Sequence, residues 1–329
     1  MFLKASVFGK AVLISVLLTV CLALYSYHYY TAPGPLSERT TVLFKKGTGF
    51  VDIVDKMEEA GVIDHSLLFK ALAVFSGDAR QFKAGEYRFS AAISPRLVME
   101  MIAKGRVVVH KVTIPEGMNV RQVIKRLNGR KLLEGVIVMR IEEGSLLPQT
   151  YHYVYGDQRM ELINRMQTGM QATLDELWPN RAKNLPFITQ QQALTLASIV
   201  EKETNLDSEY GRVAAVYINR LRKGMRLQAD PTVIYGIEQK TGKPMGRLLT
   251  YSDLKKPTPY NTYINTGLPP TPIANPGRKA IEAVLNPPKT KELFFVATGD
   301  GGHNFATTLA QHNRNVAAYR KKRREKAKQ

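Results

Sequence analysis

Apolar and polar positions follow three rhythms along this chain, and each predicts a different kind of element. The first is unbroken: "AVLISVLLTVCLALYSYHYY", Ala11 to Tyr30, holds twenty residues without a charge. A helix of that length rises about 30 Å, the thickness of a bilayer core. Lys4 and Lys10 precede it, and Tyr25, Tyr27, Tyr29 and Tyr30 cluster at its far end, where amphipathic rings sit among headgroups. The pattern predicts an uncleaved transmembrane anchor at 11–30, with residues 1–10 in the cytoplasm. A cleaved leader competes with it, but no Ala-x-Ala appears and the tyrosines lie where cleavage would be needed. Lipid attachment at Cys21 is the third reading, although Val20 in "LTVC" stands where a lipobox has a small residue. All three place the chain after Tyr30 outside the cytoplasm.

"TAPGPLSERT", Thr31 to Thr40, reads as a linker. The second rhythm then starts, and it occurs twice. "VLFKKGTGFVDIVDKM" from Val42 and "VTIPEGMNVRQVIKRL" from Val112 align with an offset of seventy residues. Val42, Phe44 and Gly47 match Val112, Ile114 and Gly117, and Phe50, Ile53, Val54 and Met57 match Val120, Val123, Ile124 and Leu127. Each copy alternates like a strand, turns at glycine, and continues with the spacing of an amphipathic helix. "AGEYRFSAAISPRLVMEMIAKG" repeats the theme loosely, with a strand at Tyr87–Phe89 and a helix from Ser94 or Pro95 to Ala103. Units of this kind, over about residues 80–130, resemble LysM modules, which bind glycans containing N-acetylglucosamine. A structural α+β spacer is the competing reading of residues 41–140.

From about Glu142 the third rhythm is helical. Residues 160–180, 189–204 and 211–224 carry helix periodicity, with Asp230 as an N-cap before Pro231. Lys255 to Gly277 is a long irregular stretch, and such a stretch inside a compact domain points to function. "ELFFVAT" reads as a buried strand, and "GDGGHNFATTLAQHNRNVAAYR" as a glycine loop and a final helix. Residues 141–319 thus read as one mostly helical domain with a few strands.

"SIVEKETN" ends the helix at 189–204 with two glutamates. On a helical wheel Ala193, Ala197 and Val200 centre the apolar face, and Thr195, Ser198 and Lys202 lie opposite. Glu201 and Glu203 fall on its two flanks, roughly 160° apart. Periodicity does not choose between them, but it excludes a facing carboxylate pair. A lone carboxyl at the border of an apolar face has its pKa raised by desolvation and can act as an acid. A solvated helix end is the plainer reading.

Charge changes the list of partners. The net charge of +19 calls for a polyanion, and the tail "RKKRREKAKQ" (320–329) alone supplies seven basic residues and one acidic. The leading apolar segment and the absence of a recognition motif disfavour nucleic acid. The single cysteine rules out an internal disulfide, and the six histidines show no metal-ligand spacing. No phosphate-cradling glycine loop occurs, so neither metal nor cofactor is expected.

Four long motifs then narrow the chemistry: "ASIVEKET", "VYINRLRKGMRLQADPTVIYG", "YNTYINTGLPPTPIANPG" and "FFVATGDGGHNFATTLAQHN". In this order they resemble the YceG-like family of endolytic murein transglycosylases, densely over 143–315 and thinly before. The resemblance implies a lysozyme-like catalytic domain that cleaves the β-1,4 bond between N-acetylmuramic acid and N-acetylglucosamine, leaving 1,6-anhydro ends. It also implies a periplasmic location on the bacterial inner membrane, with penicillin-binding proteins as neighbours. It places the catalytic acid/base on Glu201, with Glu203 as a flanking partner. It places substrate contacts on Tyr260 and Asn261. Gln228 and Thr232 of "QADPT" and His303 of "GGHNF" are further candidates for the cleft. A membrane-anchored, non-catalytic peptidoglycan-binding scaffold is the alternative.

Overall fold

The computed structural model describes residues 2–326, with side chains from Phe8 onward. The Lys4 side chain and the last three residues of the basic tail lie outside the described residues. Helix α1, Phe2–Thr31, contains a stretch, Phe8–Thr31, long and apolar enough to cross a membrane. The rest is mixed, with short two-stranded sheets set among helices.

The chain separates into two compact units. Unit 1 comprises residues 1–110, 132–134 and 152–157, and unit 2 the remainder. In unit 1, β1 (Thr40–Phe44), α2 (Phe50–Glu59), α3 (Ser66–Ser76) and β2 (Gly85–Phe89) form a strand–helix–helix–strand order, followed by α4 (Pro95–Lys104). β1 and β2 pair antiparallel, Thr40 opposite Phe89 and Phe44 opposite Gly85. Phe44, Tyr87 and Phe89 thereby face Ile53, Val54, Met57 and Phe69 in one core. Tyr29, from the end of α1, and Leu36, beyond it, are part of that core, so the stretch after the apolar run is not a loose tether.

β3 (His110–Thr113) pairs with β4 (Thr150–Tyr153), and α5 (Val120–Asn128) lies between them in sequence. The two copies of the repeat both fold as read: Gly47 and Gly117 adopt φ of 85° and 73°, a backbone that favours glycine at the strand-to-helix turn. Compactness groups the second helix with unit 2, where the Val120 N–H donates to Glu143 Oε1 (2.8 Å) and Gly117 N–H to the Asn275 carbonyl (3.0 Å).

Unit 2 continues with α6 (Arg159–Leu177), α7 (Gln190–Glu203), α8 (Tyr210–Arg222), α9 (Asp230–Thr241) and α10 (Arg278–Leu285). The hairpin β5 (Phe294–Ala297) and β6 (His303–Ala306) leads to α11 (Leu309–Lys326). The core joins α7 and α8 to α10, with Leu196, Ala197, Val200, Tyr217 and Ile281 enclosed. Two expectations change. "GGHNF" is the start of a strand as well as a glycine loop, and Asp230 is the first residue of α9, Ala229 being the N-cap.

Candidate active site

α7 is the element on which the site is built. A capping box starts it: Thr189 Oγ1 accepts from the Gln192 N–H (3.2 Å) while the Gln192 side chain accepts from the Thr189 N–H (3.3 Å). Ala193 to Val200 are all buried, so the helix is enclosed on every side rather than split into an apolar and a solvated face. Thr195 and Ser198, expected opposite the core, are 3% and 0% exposed. Their hydroxyls donate to the carbonyls of Gln191 (2.8 Å) and Thr195 (2.7 Å), which removes the cost of burying them.

The covering comes from the irregular stretch. Ser198 Oγ accepts from the Ile273 N–H (3.0 Å), and Asn275, fully buried, fastens the next residues. Its side chain donates to the Met118 carbonyl (2.8 Å) and accepts from the Leu146 N–H (2.9 Å). Residues 273–277 thus run beside α7 and end at the Glu201 carboxylate.

Glu201 is held by two fixed donors. Tyr210 O–H donates to Oε1 (2.8 Å) and the Gly277 N–H to Oε2 (2.9 Å). Burial raises its pKa, these two hydrogen bonds oppose the rise, and the nearby Glu116 charge adds to it. Glu116 is close enough that a Cβ at Gly277 would run into its carboxylate. Glu201 therefore ties α7 to α8 and to the start of α10.

Glu203 has a different setting. Tyr217 O–H donates to Oε1 (2.6 Å), and Oε2 has no hydrogen-bond partner among the described residues. The residue is enclosed by protein yet keeps partial access to solvent. Burial pushes its carboxyl up to about 7, opposed by the Tyr217 hydrogen bond and reinforced by the Asp230 charge. Asp230 itself accepts from Tyr263 O–H (2.6 Å). Arg220, buried beneath, donates to the carbonyls of Leu293 and Leu227 (both 2.7 Å) and reaches Gln228 Oε1 (3.4 Å). Gln228 is exposed with φ of 51°, a left-handed conformation that costs a non-glycine residue energy and collects at functional sites.

The remaining sequence candidates are dispersed. Thr232 is fully buried and binds the Ala229 carbonyl (2.7 Å) and the Thr262 hydroxyl (2.8 Å), which seats the start of α9. Asn261 is also fully buried and donates to the carbonyls of Leu254 (3.0 Å) and Lys256 (2.8 Å), organising the loop. Tyr260 lies edge-on to Tyr235, 4.8 Å between ring centroids, on a cavity of ≈ 730 Å³ that Glu143 also lines. His303 Nδ1 pairs with Glu209 Oε2 (2.7 Å), to which Thr204 O–H also donates (3.2 Å). Burial acts upward on Glu209, but the hydrogen bonds from His303 outweigh it and hold the carboxyl below its ordinary range.

Sequence reasoning missed Tyr210, Tyr217, Tyr263, Gly277 and Glu143. Three of them are tyrosines whose role depends on which carboxylate they meet across the fold, so only Tyr263, inside "YNTY", carried a local signal. Among the described residues no group of three or more His, Cys, Asp or Glu side chains is arranged for a metal ion.

This architecture has known counterparts. The model of the YceG-like family matches residues 42–318. The chain belongs to the YceG-like family. It is similar to the endolytic murein transglycosylase of Bacillus subtilis (strain 168), 29% identical over 327 residues and covering 89% of each chain. It is also similar to that of Streptococcus pneumoniae (D39), 28% identical, where the match covers 85% of this chain and 58% of the relative. A crystal structure of a YceG-like protein from Listeria monocytogenes aligns with a TM-score of 0.50 at 30% identity, covering 84% of this chain and 99% of that one. The YceG-like match includes both α7 glutamates and residues 273–277.

Proposed function

We propose that this YceG-like protein is a lytic transglycosylase of peptidoglycan, with Glu203 rather than Glu201 as its acid/base. The names of its relatives support the substrate class. The observation that carries the residue assignment is the contrast in hydrogen bonding: Glu203 has an oxygen open to a substrate, whereas both oxygens of Glu201 are engaged by protein donors. A group that first gives a proton and then takes one works best with a pKa near the working pH, and burial brings Glu203 to about 7.

In this reading protonated Glu203 donates to the glycosidic oxygen as the bond to C1 of N-acetylmuramic acid breaks. The C6 hydroxyl of the same sugar then closes on C1 and returns its proton to the Glu203 carboxylate. The nucleophile belongs to the substrate, so a single protein carboxyl suffices, unlike the two that ordinary glycoside hydrolysis needs. Gln228, Asp230 and Tyr263 form the polar rim for the sugar. Glu201 positions the rim by clamping Tyr210 and Gly277. With α1 as the anchor, the catalytic region faces the periplasmic side of the inner membrane, near the synthases that supply nascent strands.

The test is to incubate the full chain with purified peptidoglycan and identify the released ends by mass spectrometry. 1,6-Anhydromuramyl ends are expected. Reducing ends would mean hydrolysis and a second carboxylate, to be sought among Asp207, Glu209 and Asp230. Binding without cleavage would favour a scaffold.

A further inference from the structure

α3 is a strongly apolar helix of unit 1, and its sequence "SLLFKALAVFS" contains one charge, Lys70, which pairs with Asp55. Phe69 and Ala73 face the core. The opposite side is bare: Leu67 is 82% exposed, Val74 65% and Phe75 92%, and Ala71 between them is exposed as well. Positions 67, 71, 74 and 75 repeat at helical spacing, so they make one continuous apolar stripe along a little over two turns.

The place of this stripe in unit 1 gives it an occupant. The residue before α3 is His65, and its ring lies 5.6 Å from that of Tyr29, the tyrosine through which α1 enters the core. Tyr29 O–H also reaches the His65 carbonyl (3.4 Å). One turn earlier on α1, Tyr25 lines a cleft of ≈ 310 Å³ with Leu67, Leu68, His65 and Ser66, and with Glu58 and Asp64 at its polar side. The first turn of α3 therefore lies beside the last two turns of α1, which carry Tyr25 and Tyr29 at the end of the apolar stretch. Burial of Tyr29 and Leu36 in the unit 1 core fixes that level.

We propose that the Leu67–Ala71–Val74–Phe75 face of α3 lies in the headgroup–acyl boundary of the bilayer that α1 crosses. Unit 1 then meets the membrane at two points, one spanning and one interfacial, which sets its tilt on the surface. A helix with an apolar stripe seated some 5–10 Å into that boundary is the general form of an interfacial contact. The inference rests on the anchor role of α1 and is independent of the murein chemistry.

The test uses the full chain with Cys21→Ser, reconstituted in vesicles of phosphatidylethanolamine and phosphatidylglycerol. Phe75→Cys, Ala71→Cys and, as a control exposed on β2, Arg88→Cys each carry an environment-sensitive fluorophore. The labels at 71 and 75 are expected to shift to the blue and to lose most of their emission when the lipids are brominated at shallow acyl positions. The label at 88 keeps a water-like spectrum. Adding Leu67→Ser and Val74→Ser, both at exposed positions, should reduce quenching at 71 and 75 while the circular dichroism is unchanged. Water-like, unquenched emission at 71 and 75 in chains that float with the vesicles would overturn the proposal and leave the anchor intact. A blue shift without bromolipid quenching would assign the face to a second copy or another protein, and would overturn it too. Chains that fail to float would remove the anchor itself and the proposal with it, whatever their activity on peptidoglycan.

Discussion

The two flanks of the α7 terminus are two residues apart in sequence and chemically opposite. On one, Glu201 spends both oxygens on Tyr210 and Gly277 and holds three segments together. On the other, Glu203 is bound through one oxygen to Tyr217 and keeps the second open, with burial pushing its carboxyl up to about 7. Burial raises both carboxyls, so burial alone does not distinguish them. What separates the two is which lone pairs the protein leaves unused.

The largest expected effect comes from pH. In the proposed mechanism Glu203 must be protonated to begin the reaction, so kcat/KM should be level on the acid side and fall about tenfold per pH unit above its pKa near 7. A profile flat to pH 9 would break the comparison. Next comes Tyr217→Phe, which removes a hydrogen bond that favours the charged form of Glu203. It should lower kcat about tenfold and move the alkaline limb upward; a downward move would contradict the assignment.

The clamp flank should answer in stability. Tyr210→Phe removes the hydroxyl that binds Glu201 Oε1 and should cost about 1–3 kcal/mol in denaturant unfolding. Loss of activity without loss of stability would mean that this flank touches substrate. The smallest effect is electrostatic. Because the folded pKa of Glu203 lies above its unfolded value, its contribution to stability is full below about 4.5 and is lost as pH rises through about 7. Glu203→Gln should therefore raise Tm relative to the wild type by a few degrees at pH 8, an advantage that vanishes toward pH 4.5.

Periodicity made much of the fold legible. The repeat at Val42 and Val112 became two strand–turn–helix units with left-handed glycines at matching turns, and the helices at 159–177, 190–203 and 210–222 lie within a few residues of their expected limits. α3 was not anticipated, and α10 follows the irregular stretch without a signal strong enough to stand apart from it. The wheel for α7 assumed a solvent face, whereas Ile273 and Asn275 cover that face from 75 residues away. Tertiary contact governs the site in the same way. A wheel gives Glu201 and Glu203 equal standing, and the hydrogen bonds that set them apart come from Tyr210, Tyr217 and Gly277 on other elements. Asp230 illustrates it from the other side: local pattern reads a helix cap, while its carboxylate is taken by Tyr263.

The most direct measurement compares Glu203→Gln with Glu201→Gln on purified peptidoglycan, scoring 1,6-anhydromuramyl ends by mass spectrometry and folding by circular dichroism. Glu203→Gln is expected to lose roughly 100- to 10,000-fold in rate while remaining folded. Glu201→Gln, whose amide can still accept from the Gly277 N–H, is expected to keep activity within about tenfold and to lose about 1 kcal/mol of stability. An active Glu203→Gln beside an inactive, folded Glu201→Gln would contradict the assignment and return the acid to the other flank.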